Sequence, residues 1–420
     1  MRKEKNIFAN IDLISILLYV ILVIFGWINI YASQYNEDTL LVLDFSNRYG
    51  KQFLFIIISI IIAFLILIID WKFFFSLSYI FYFITLLLLI GVLFIGNKTA
   101  GAISWYEFYG FKFQPSELAK FCTGLAVAKY YNSLHSKKIS KKNEIILYCI
   151  IILPLLLIIL QNDLGTSLVY AAFILALYRE GLATNILVFS LTIFILFITS
   201  LLIEKEFLIS IILFIASIFF LLSKKKRKIS IPIISILIIT ISFTFSVNYI
   251  FNEVLSPHHV KRINVLLGKE FDPYGVGYNL IQSKIAIGSG GLTGKGFLNG
   301  TQTRFDFVPE QSTDFIFCTI GEEWGFLGSL SFIFLFITLI LRIILLAERQ
   351  RSNYSRIYGY SVAMILFIHF LINVGMTIGL IPVIGIPLPF ISYGGSSLIG
   401  FTILLFIFLN LDSYRLQILR

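Results

Sequence analysis

Long apolar runs separated by short polar breaks occupy most of this 420-residue chain. A run of about 20 apolar residues has the length that crosses a bilayer as a helix. Helices of this kind are predicted at Leu13–Ile30, Phe53–Ile69, Phe75–Ile95, Leu118–Tyr131, Ile145–Leu160, Leu164–Leu177, Ile186–Ile203, Phe207–Leu222, Ile229–Ile250, Phe315–Ala347, Ile357–Leu380 and Leu398–Leu411. The pattern therefore predicts an all-α polytopic membrane protein with about 12 transmembrane helices.

One long polar stretch, Phe251–Ser312, interrupts this pattern and is dense in glycine and charge. The chain as a whole is 58% hydrophobic and 13% charged, with a mean hydropathy of +0.92, whereas soluble domains carry about 25% charged residues. Because almost every other segment is apolar, we expect the water-facing chemistry of the protein in this loop.

The distribution of lysine and arginine predicts which side of the membrane each loop faces. Basic residues of the N-terminus and of Lys137–Lys142, Lys224–Lys228 and Arg342–Arg356 fall on one side of the predicted helices. Cytoplasmic loops carry such an excess. Both termini are therefore predicted to be cytoplasmic and Phe251–Ser312 extracytoplasmic. The Lys224–Lys228 run is interpreted as a topology anchor, so no nucleic-acid partner is expected.

Cysteine usage gives no indication of a metal site. Cys122, Cys149 and Cys318 lie singly in apolar segments, without the paired spacing of zinc ligands. No all-protein metal cage and no certain cofactor are predicted. A divalent metal held by a diphosphate and one carboxylate stays open as an alternative.

Charged side chains at membrane depth are costly, so each is a candidate functional residue. Glu117 and Lys120 are three residues apart behind Gln114–Pro115, so they share one helix face and can pair. A structural ion pair and a substrate-binding role stay equally open. Asp163 lies in the tight break before the predicted helix Leu164–Leu177, where a helix cap is the stronger interpretation and a cavity-facing carboxylate the alternative.

A second unusual segment, Gly379–Ser397, is apolar but contains three prolines and a glycine pair. Such a sequence does not form a regular helix, and irregular backbone at membrane depth is tolerated only against protein or a water-filled cavity. The segment is predicted to line an outward-facing pocket, with Ser392 and Tyr393 as candidate substrate-binding residues.

The glycine run Gly288–Gly296 within the long loop resembles a phosphate-binding loop at first sight. It fails the Walker A pattern, because Ser289 stands where that pattern requires glycine and Gly296 follows Lys295. We expect instead a flexible backbone rich in N–H donors, a cradle for a pyrophosphate. The basic residues predicted beside it are Lys284, Lys295 and Arg304.

Asp272 is the candidate catalytic residue of the loop. A carboxylate beside basic groups at the outer membrane surface suits sugar transfer from a lipid diphosphate, in which the protein deprotonates an acceptor hydroxyl and stabilises the departing anion. One base suffices for an inverting displacement, whereas retention needs a second carboxylate. From spacing alone, a turn-stabilising aspartate before Pro273 is the stronger interpretation. Downstream, Thr313 or Asp314 is the expected cap of the next helix, which carries Glu322 and Glu323.

Together these motifs resemble the SEDS family (shape, elongation, division and sporulation), and its rod-shape, RodA-like branch more than its division branch. The motifs that carry the resemblance occur in order over most of the chain. They are GAISW at Gly101, QPSELAK at Gln114, DLGT at Asp163, DPYGVGYNLIQSKIAIGSGGLTGKG at Asp272, GTQT at Gly300, PEQSTDFIF at Pro309, EEWG at Glu322 and GIPLPFISYGGSS at Gly385.

The resemblance implies a peptidoglycan glycosyltransferase that polymerises lipid II, an undecaprenyl-diphosphate-linked glycan, at the outer face of the bacterial cytoplasmic membrane for cell elongation and rod shape. It implies that Asp272 is the essential aspartate and that Glu117, Lys120 and Asp163 line a central cavity. It further implies a class B penicillin-binding protein as transpeptidase partner within the elongation machinery.

Three departures from the family pattern accompany the resemblance. Ser104 stands where a basic residue is common, and Asn162 replaces a proline. The twelve predicted helices exceed the family core of ten, so an extra helix pair is predicted within residues 183–250 of a single membrane domain, 1–420. Two other functions stay open: a flippase for lipid-linked precursors, and a scaffold that activates a penicillin-binding protein.

Overall fold

A computed structural model describes residues 10–35, 45–99, 101–108, 111–134, 140–182, 184–203, 205–222, 226–249, 253, 260–261, 264 and 277–416. The chain divides into two compact units, Met1–Leu182 with Asn279–Arg420, and Ala183–Tyr278. The catalytic candidate Asp272 lies outside the described residues.

The first unit is built from helices, and most of them follow the predicted apolar runs. They are α1 (Leu13–Ser33), α2 (Arg48–Ile68), α3 (Trp71–Ile95), α4 (Pro115–Ser133), α5 (Lys141–Leu160), α6 (Leu164–Val169) and α7 (Ala171–Arg179). The second unit contributes α8 (Thr184–Leu202), α9 (Lys205–Leu222) and α10 (Lys226–Tyr249). The chain returns to the first unit in α11 (Tyr278–Ser289), α12 (Thr301–Arg304), α13 (Ile316–Glu348), α14 (Asn353–Thr377) and α15 (Gly395–Ser413).

The prediction of a helical, multi-pass membrane protein is confirmed. Among the described residues, eight helices are long and apolar enough to cross a membrane. The most apolar stretches of α14 and α15 are 78% buried within the protein, against 28% for α3, so α14 and α15 form the interior of the first unit. The predicted number of twelve spans and the single-domain assignment stay predictions.

A small sheet between α3 and α4 is a departure from the predicted all-helical pattern. Strands β1 (Asn97–Thr99), β2 (Ala102–Phe108) and β3 (Phe111–Phe113) form an antiparallel sheet in the order β1-β2-β3. Ile103 N–H donates to the carbonyl of Gln161 at 2.9 Å, which ties the sheet to the end of α5. The sheet therefore fixes the connection that leads into α4.

The long helix α13 is broken at Gly325, where φ is 64° and ψ is −163°. The run that was predicted as one long span is thus two helical pieces. The glycine run supplies the hydrogen bonds that the break removes. Phe326 N–H donates to the carbonyl of Gly291 at 2.9 Å, and Lys295 N–H donates to the carbonyl of Glu322 at 3.0 Å. Gly296 N–H donates to the carbonyl of Glu323 at 3.0 Å.

Two predictions about this region are wrong. The N–H groups of Lys295 and Gly296 are engaged by α13, so they are not the free donors of a pyrophosphate cradle. The helix begins at Ile316 with Phe315 at its cap position, so neither Thr313 nor Asp314 is the cap. The glycine run is a docking segment, because only residues without a side chain approach the broken helix so closely.

In the second unit, α8, α9 and α10 pack against one another. Three helices therefore occupy the range in which an extra pair is predicted. Large apolar side chains cover the outside of α9, among them Phe214 at 67% and Phe219 at 67% exposure. Such a surface suits lipid contact.

Two neighbouring glycines test the docking of the glycine run. A Cβ on Gly290 would lie 2.0 Å from the carbonyl oxygen of Gly321, whereas a Cβ on Gly288 would meet nothing within 4 Å. We expect Gly290→Ala to destabilise the protein by about 1–3 kcal/mol, because overpacking moves the backbone. Gly288→Ala, within α11, is expected to be neutral or slightly stabilising. Thermal unfolding of both variants in detergent measures the difference, and equal midpoints would contradict the docking.

Candidate functional site

The centre of the first unit contains a buried ion pair on α4. Pro115 occupies the first turn, where its missing N–H costs nothing, and Gln114 holds the cap position. One helical turn later, Lys120 Nζ lies 2.8 Å from Glu117 Oε2, and both side chains are only 2% exposed. The predicted pairing is confirmed. Because removing charges from water is expensive, this pair needs further polar partners.

Lys120 has two further neighbours on the interior helices, one histidine and one aromatic ring. Its Nζ lies 3.0 Å from His369 Nε2 on α14 and 4.3 Å from the ring centroid of Phe401 on α15. The His369 ring meets Phe401 edge-on, with centroids 4.8 Å apart. His369 Nδ1 lies 3.3 Å from the carbonyl oxygen of Pro387 in the irregular segment. The ammonium is thus held between three helices, and His369 was not predicted.

Asp163 serves as the cap of α6 and also reaches towards α4. Its carboxylate accepts hydrogen bonds from Thr166 N–H at 3.0 Å and from the Thr166 hydroxyl at 2.9 Å. It also accepts one from Gln114 Nε2 at 2.8 Å. The cap interpretation is confirmed. Asp163 lies within electrostatic range of both Glu117 and Lys120, so the three predicted charges form one cluster.

The irregular segment between α14 and α15 closes this cluster. Asn373, one turn after His369 on α14, donates through Nδ2 to the carbonyls of Asp314 and Ile386, both at 2.8 Å. Together, His369 and Asn373 meet two consecutive carbonyls of the segment, those of Pro387 and Ile386. In this way α14 replaces the hydrogen bonds that a regular helix would supply.

The Ser392 hydroxyl bonds to backbone groups. Its hydroxyl donates to the carbonyl of Thr313 at 2.6 Å and accepts from Leu388 N–H at 2.8 Å. Nearby, Phe390 adopts φ 68°, a strained value for a bulky residue that the surrounding contacts impose. The Ser392 hydroxyl therefore shapes the turn, and a contact with substrate would require one of these bonds to open.

Tyr393 connects the same segment to the loop before α13. Its N–H donates to the carbonyl of Ser312 at 2.8 Å, and the Arg48 guanidinium lies 5.9 Å from its ring centroid. Arg48 donates to the Ser312 hydroxyl at 2.8 Å and pairs with Glu310 at 3.5 Å. A cleft of about 340 Å³ opens beside Arg48, between Gln34 and the segment Asp306–Gln311.

Lys295 belongs to a second, separate ionic cluster. Its Nζ lies 2.6 Å from Glu322 Oε1, and the Glu322 side chain is fully buried. The same carboxylate accepts from the N–H groups of Gln302 and Thr303, both at 2.9 Å, and from the Thr303 hydroxyl at 2.9 Å. With this many donors, Glu322 anchors the loop to α13, and Lys295 is part of that anchor.

The remaining basic candidates are Lys284 and Arg304. Lys284, on α11, is exposed and packs its ammonium end against Gly379 at the end of α14. The Arg304 guanidinium lies 5.7 Å from the ring of Tyr35. In the part of the chain that the structure describes, no group of three or more His, Cys, Asp or Glu side chains is arranged to hold a metal ion.

The structure thus brings Glu117, Lys120 and Asp163 together and joins them to the Ser392–Tyr393 segment through His369. Lys295 lies in the Glu322 anchor. Sequence analysis missed His369, although a histidine within an apolar run is itself a signal, since the whole chain has four histidines. Arg48 was also missed, because nothing in the sequence indicates which loop it contacts.

Comparisons with known proteins find a matching family model and several related proteins. The family model FtsW/RodA/SpoVE, described as "Cell cycle protein", matches residues 12–227 and 184–417. The peptidoglycan glycosyltransferase MrdB of Escherichia coli K12 is 36% identical over 76% of this chain and 73% of its own. The peptidoglycan glycosyltransferase RodA of Treponema pallidum is 31% identical over 93% of this chain and 94% of its own.

Solved structures show the same fold. One solved chain comes from a study of how a peptidoglycan synthase complex coordinates polymerization and crosslinking. It superposes on this chain with a TM-score of 0.70 at 23% identity, over 97% of this chain and 99% of its own. The rod shape determining protein RodA of Thermus thermophilus superposes with a TM-score of 0.59 at 23% identity, over 96% and 97%.

The buried pair makes a specific prediction about stability. Lys120→Met alone leaves Glu117 as an uncompensated buried charge, which costs about 3–5 kcal/mol, whereas an apolar pair in place of both charges is often neutral. We therefore expect Glu117→Leu/Lys120→Met to unfold at a higher temperature than Lys120→Met. Thermal unfolding in detergent measures this order. A double variant less stable than the single one would show that the two charges are stabilised independently.

Proposed function

Because this chain belongs to the FtsW/RodA/SpoVE family of cell cycle proteins, we propose that it is a peptidoglycan glycosyltransferase that polymerises lipid II for cell elongation and rod shape. The observation that carries the proposal is the Lys120 ammonium, held in the interior of a membrane protein whose relatives are named for this activity. A cation at such depth is rare unless it serves function.

The proposed reaction is a single displacement at the anomeric carbon of the lipid-linked sugar. Asp272 takes the proton of the acceptor's sugar hydroxyl, and the hydroxyl oxygen forms the new glycosidic bond with inversion. The bond from the anomeric carbon to the phosphate oxygen breaks, and its electron pair leaves with undecaprenyl diphosphate. The protein then has to stabilise an anion that gains charge in the transition state.

Lys120 is the proposed partner of that diphosphate, with Glu117 and Asp163 setting the polarity of the cavity. Lys120 is 1% exposed, and we propose that the diphosphate reaches it when the segment around Pro387 moves aside. Lys284 and Arg304, on the loop, are proposed to meet the diphosphate nearer the water. Lys295 acts through the Glu322 anchor, and Ser392 and Tyr393 shape the wall of the pocket.

Partner and location follow the same line of inference. The protein is a multi-pass membrane protein, and one chain of a peptidoglycan synthase complex shares its fold. We propose that a class B penicillin-binding protein crosslinks the strands that this chain makes. The proposed location is the bacterial cytoplasmic membrane, with both termini cytoplasmic and the loop Phe251–Ser312 outside. The extra helix pair is proposed to lie within residues 183–250.

The catalytic assignment predicts that Asp272→Ala abolishes polymerisation. Wild type, supplied with purified lipid II and its penicillin-binding partner, is expected to form long glycan strands visible on gels. Asp272→Ala is expected to reduce the rate by at least about a hundredfold, since a general base contributes about 10²–10⁴. Glu206→Ala, which removes an exposed carboxylate of α9, is the matched control and should retain the wild-type rate.

The outcomes of this assay separate the alternatives. Equal polymerisation by Asp272→Ala and wild type at equal amounts would refute Asp272 as the base. Lipid II that crosses liposome membranes without forming polymer would favour the flippase. Activation of a partner's own polymerase, with no product from this chain, would favour the scaffold.

The proposed orientation predicts which cysteines react from outside the cell. In a Cys149→Ser background, Leu292→Cys introduces a thiol at a side chain that is 71% exposed in the loop, and Lys142→Cys introduces one at the exposed start of α5. A membrane-impermeant maleimide should label Leu292→Cys in cells whose cytoplasmic membrane is intact and Lys142→Cys only after that membrane is opened. The reverse pattern would invert the orientation.

A further inference from the structure

His369 links the buried ion pair to the irregular segment, and its two ring nitrogens have different tasks. Nε2 faces the Lys120 ammonium at 3.0 Å, and an ammonium only donates, so Nε2 accepts. Nδ1 faces the Pro387 carbonyl at 3.3 Å, and a carbonyl only accepts, so Nδ1 carries the hydrogen. The contacts therefore define a neutral imidazole in a single tautomer.

This bridge accounts for one of the three N–H groups of Lys120. Glu117 Oε2 is an ionic partner 2.8 Å from the ammonium, and the Phe401 ring faces the ammonium at 4.3 Å. An incoming diphosphate oxygen must therefore replace an existing partner. The neutral imidazole is the weaker of the two partners, because the Glu117 carboxylate carries a full opposite charge.

The same imidazole also contacts the irregular segment, at the carbonyl of Pro387. Lys120 is 1% exposed, so a ligand contacts it only after part of the surrounding protein is displaced. His369 ties Lys120 to the irregular segment, so the movement that this residue couples to is a displacement of Pro387. That displacement breaks the bond from Nδ1 and releases the ring that holds Lys120. Asn373 supports the neighbouring carbonyl of Ile386, whereas His369 contacts both the segment and Lys120, so the coupling runs through His369.

We propose that His369 is a positioning residue that couples movement of the segment around Pro387 to the release of the Lys120 ammonium for the diphosphate leaving group. This inference rests on the proposed function. His369 does not itself touch the substrate. It sets where the ammonium lies until the pocket opens, so that the ammonium is in place when the diphosphate arrives.

Side-chain geometry supplies a graded set of variants. Glutamine offers an acceptor oxygen and a donor N–H and is long enough to bridge Lys120 and Pro387. Asparagine has the same groups on a chain one carbon shorter, and leucine has neither group. Ser361→Ala is the matched control, because Ser361 is equally buried on α14 and its hydroxyl bonds only to Ile357 of the same helix, at 2.9 Å.

The test measures kcat and KM for lipid II polymerisation, at a temperature at which every variant is folded. His369→Asn and His369→Leu are expected to lower kcat roughly tenfold to a hundredfold, as a misplaced catalytic group does, with KM changed less than about threefold. His369→Gln is expected to stay within about threefold of the wild-type kcat, and Ser361→Ala to match wild type. His369→Asn keeps the test valid if the leucine variant does not fold.

Two results would overturn the role of His369 while leaving the proposed function intact. One is a folded His369→Asn variant as active as wild type. The other is a His369→Gln variant no better than His369→Asn, which would show that bridging is irrelevant. A wild-type protein that forms no glycan from lipid II would instead refute the proposed function, and this role of His369 with it.

Discussion

The burial of the Glu117–Lys120 pair is the constraint on which the rest of the interior depends. Two charges that are 2% exposed persist only if neighbouring groups replace the water they have lost. His369 and Phe401 do so for the ammonium. The helices that carry these residues, α14 and α15, are accordingly the most buried of the candidate spans. The segment between them contacts this cluster through the Pro387 carbonyl, which faces His369.

That segment explains why the site is both strained and well supported. Its prolines prevent helical hydrogen bonding, so its carbonyls take side-chain donors, with Asn373 bonding to Ile386 and His369 facing Pro387. Phe390 adopts a left-handed conformation, and the Ser392 hydroxyl donates to the backbone carbonyl of Thr313. An element held by several separate bonds has a defined closed state, and breaking those bonds gives a defined route to an open one.

The sequence predicted local features of this arrangement and missed the distant ones. The length of the apolar runs predicted the helices, and the three-residue spacing predicted the Glu117–Lys120 pair. The position of Asp163 just before a helix predicted its role as a cap. His369 lies 249 residues from Lys120, and Glu322 lies 27 residues from Lys295, so no local pattern reports either contact. The sheet of β1–β3 was missed because a search for apolar runs treats its short strands as a loop. The break at Gly325 was missed because composition does not distinguish one long helix from two pieces docked on a glycine run.

The central claim is that Lys120 receives the diphosphate of a lipid-linked glycan, and a structure with a non-reactive lipid II analogue bound tests it most directly. We predict a phosphate oxygen about 2.7–2.9 Å from Lys120 Nζ, with the Pro387 segment displaced and the Lys120–His369 contact broken. An analogue whose diphosphate is bound elsewhere, with the contacts of Lys120 to Glu117 and His369 unchanged, would contradict the claim.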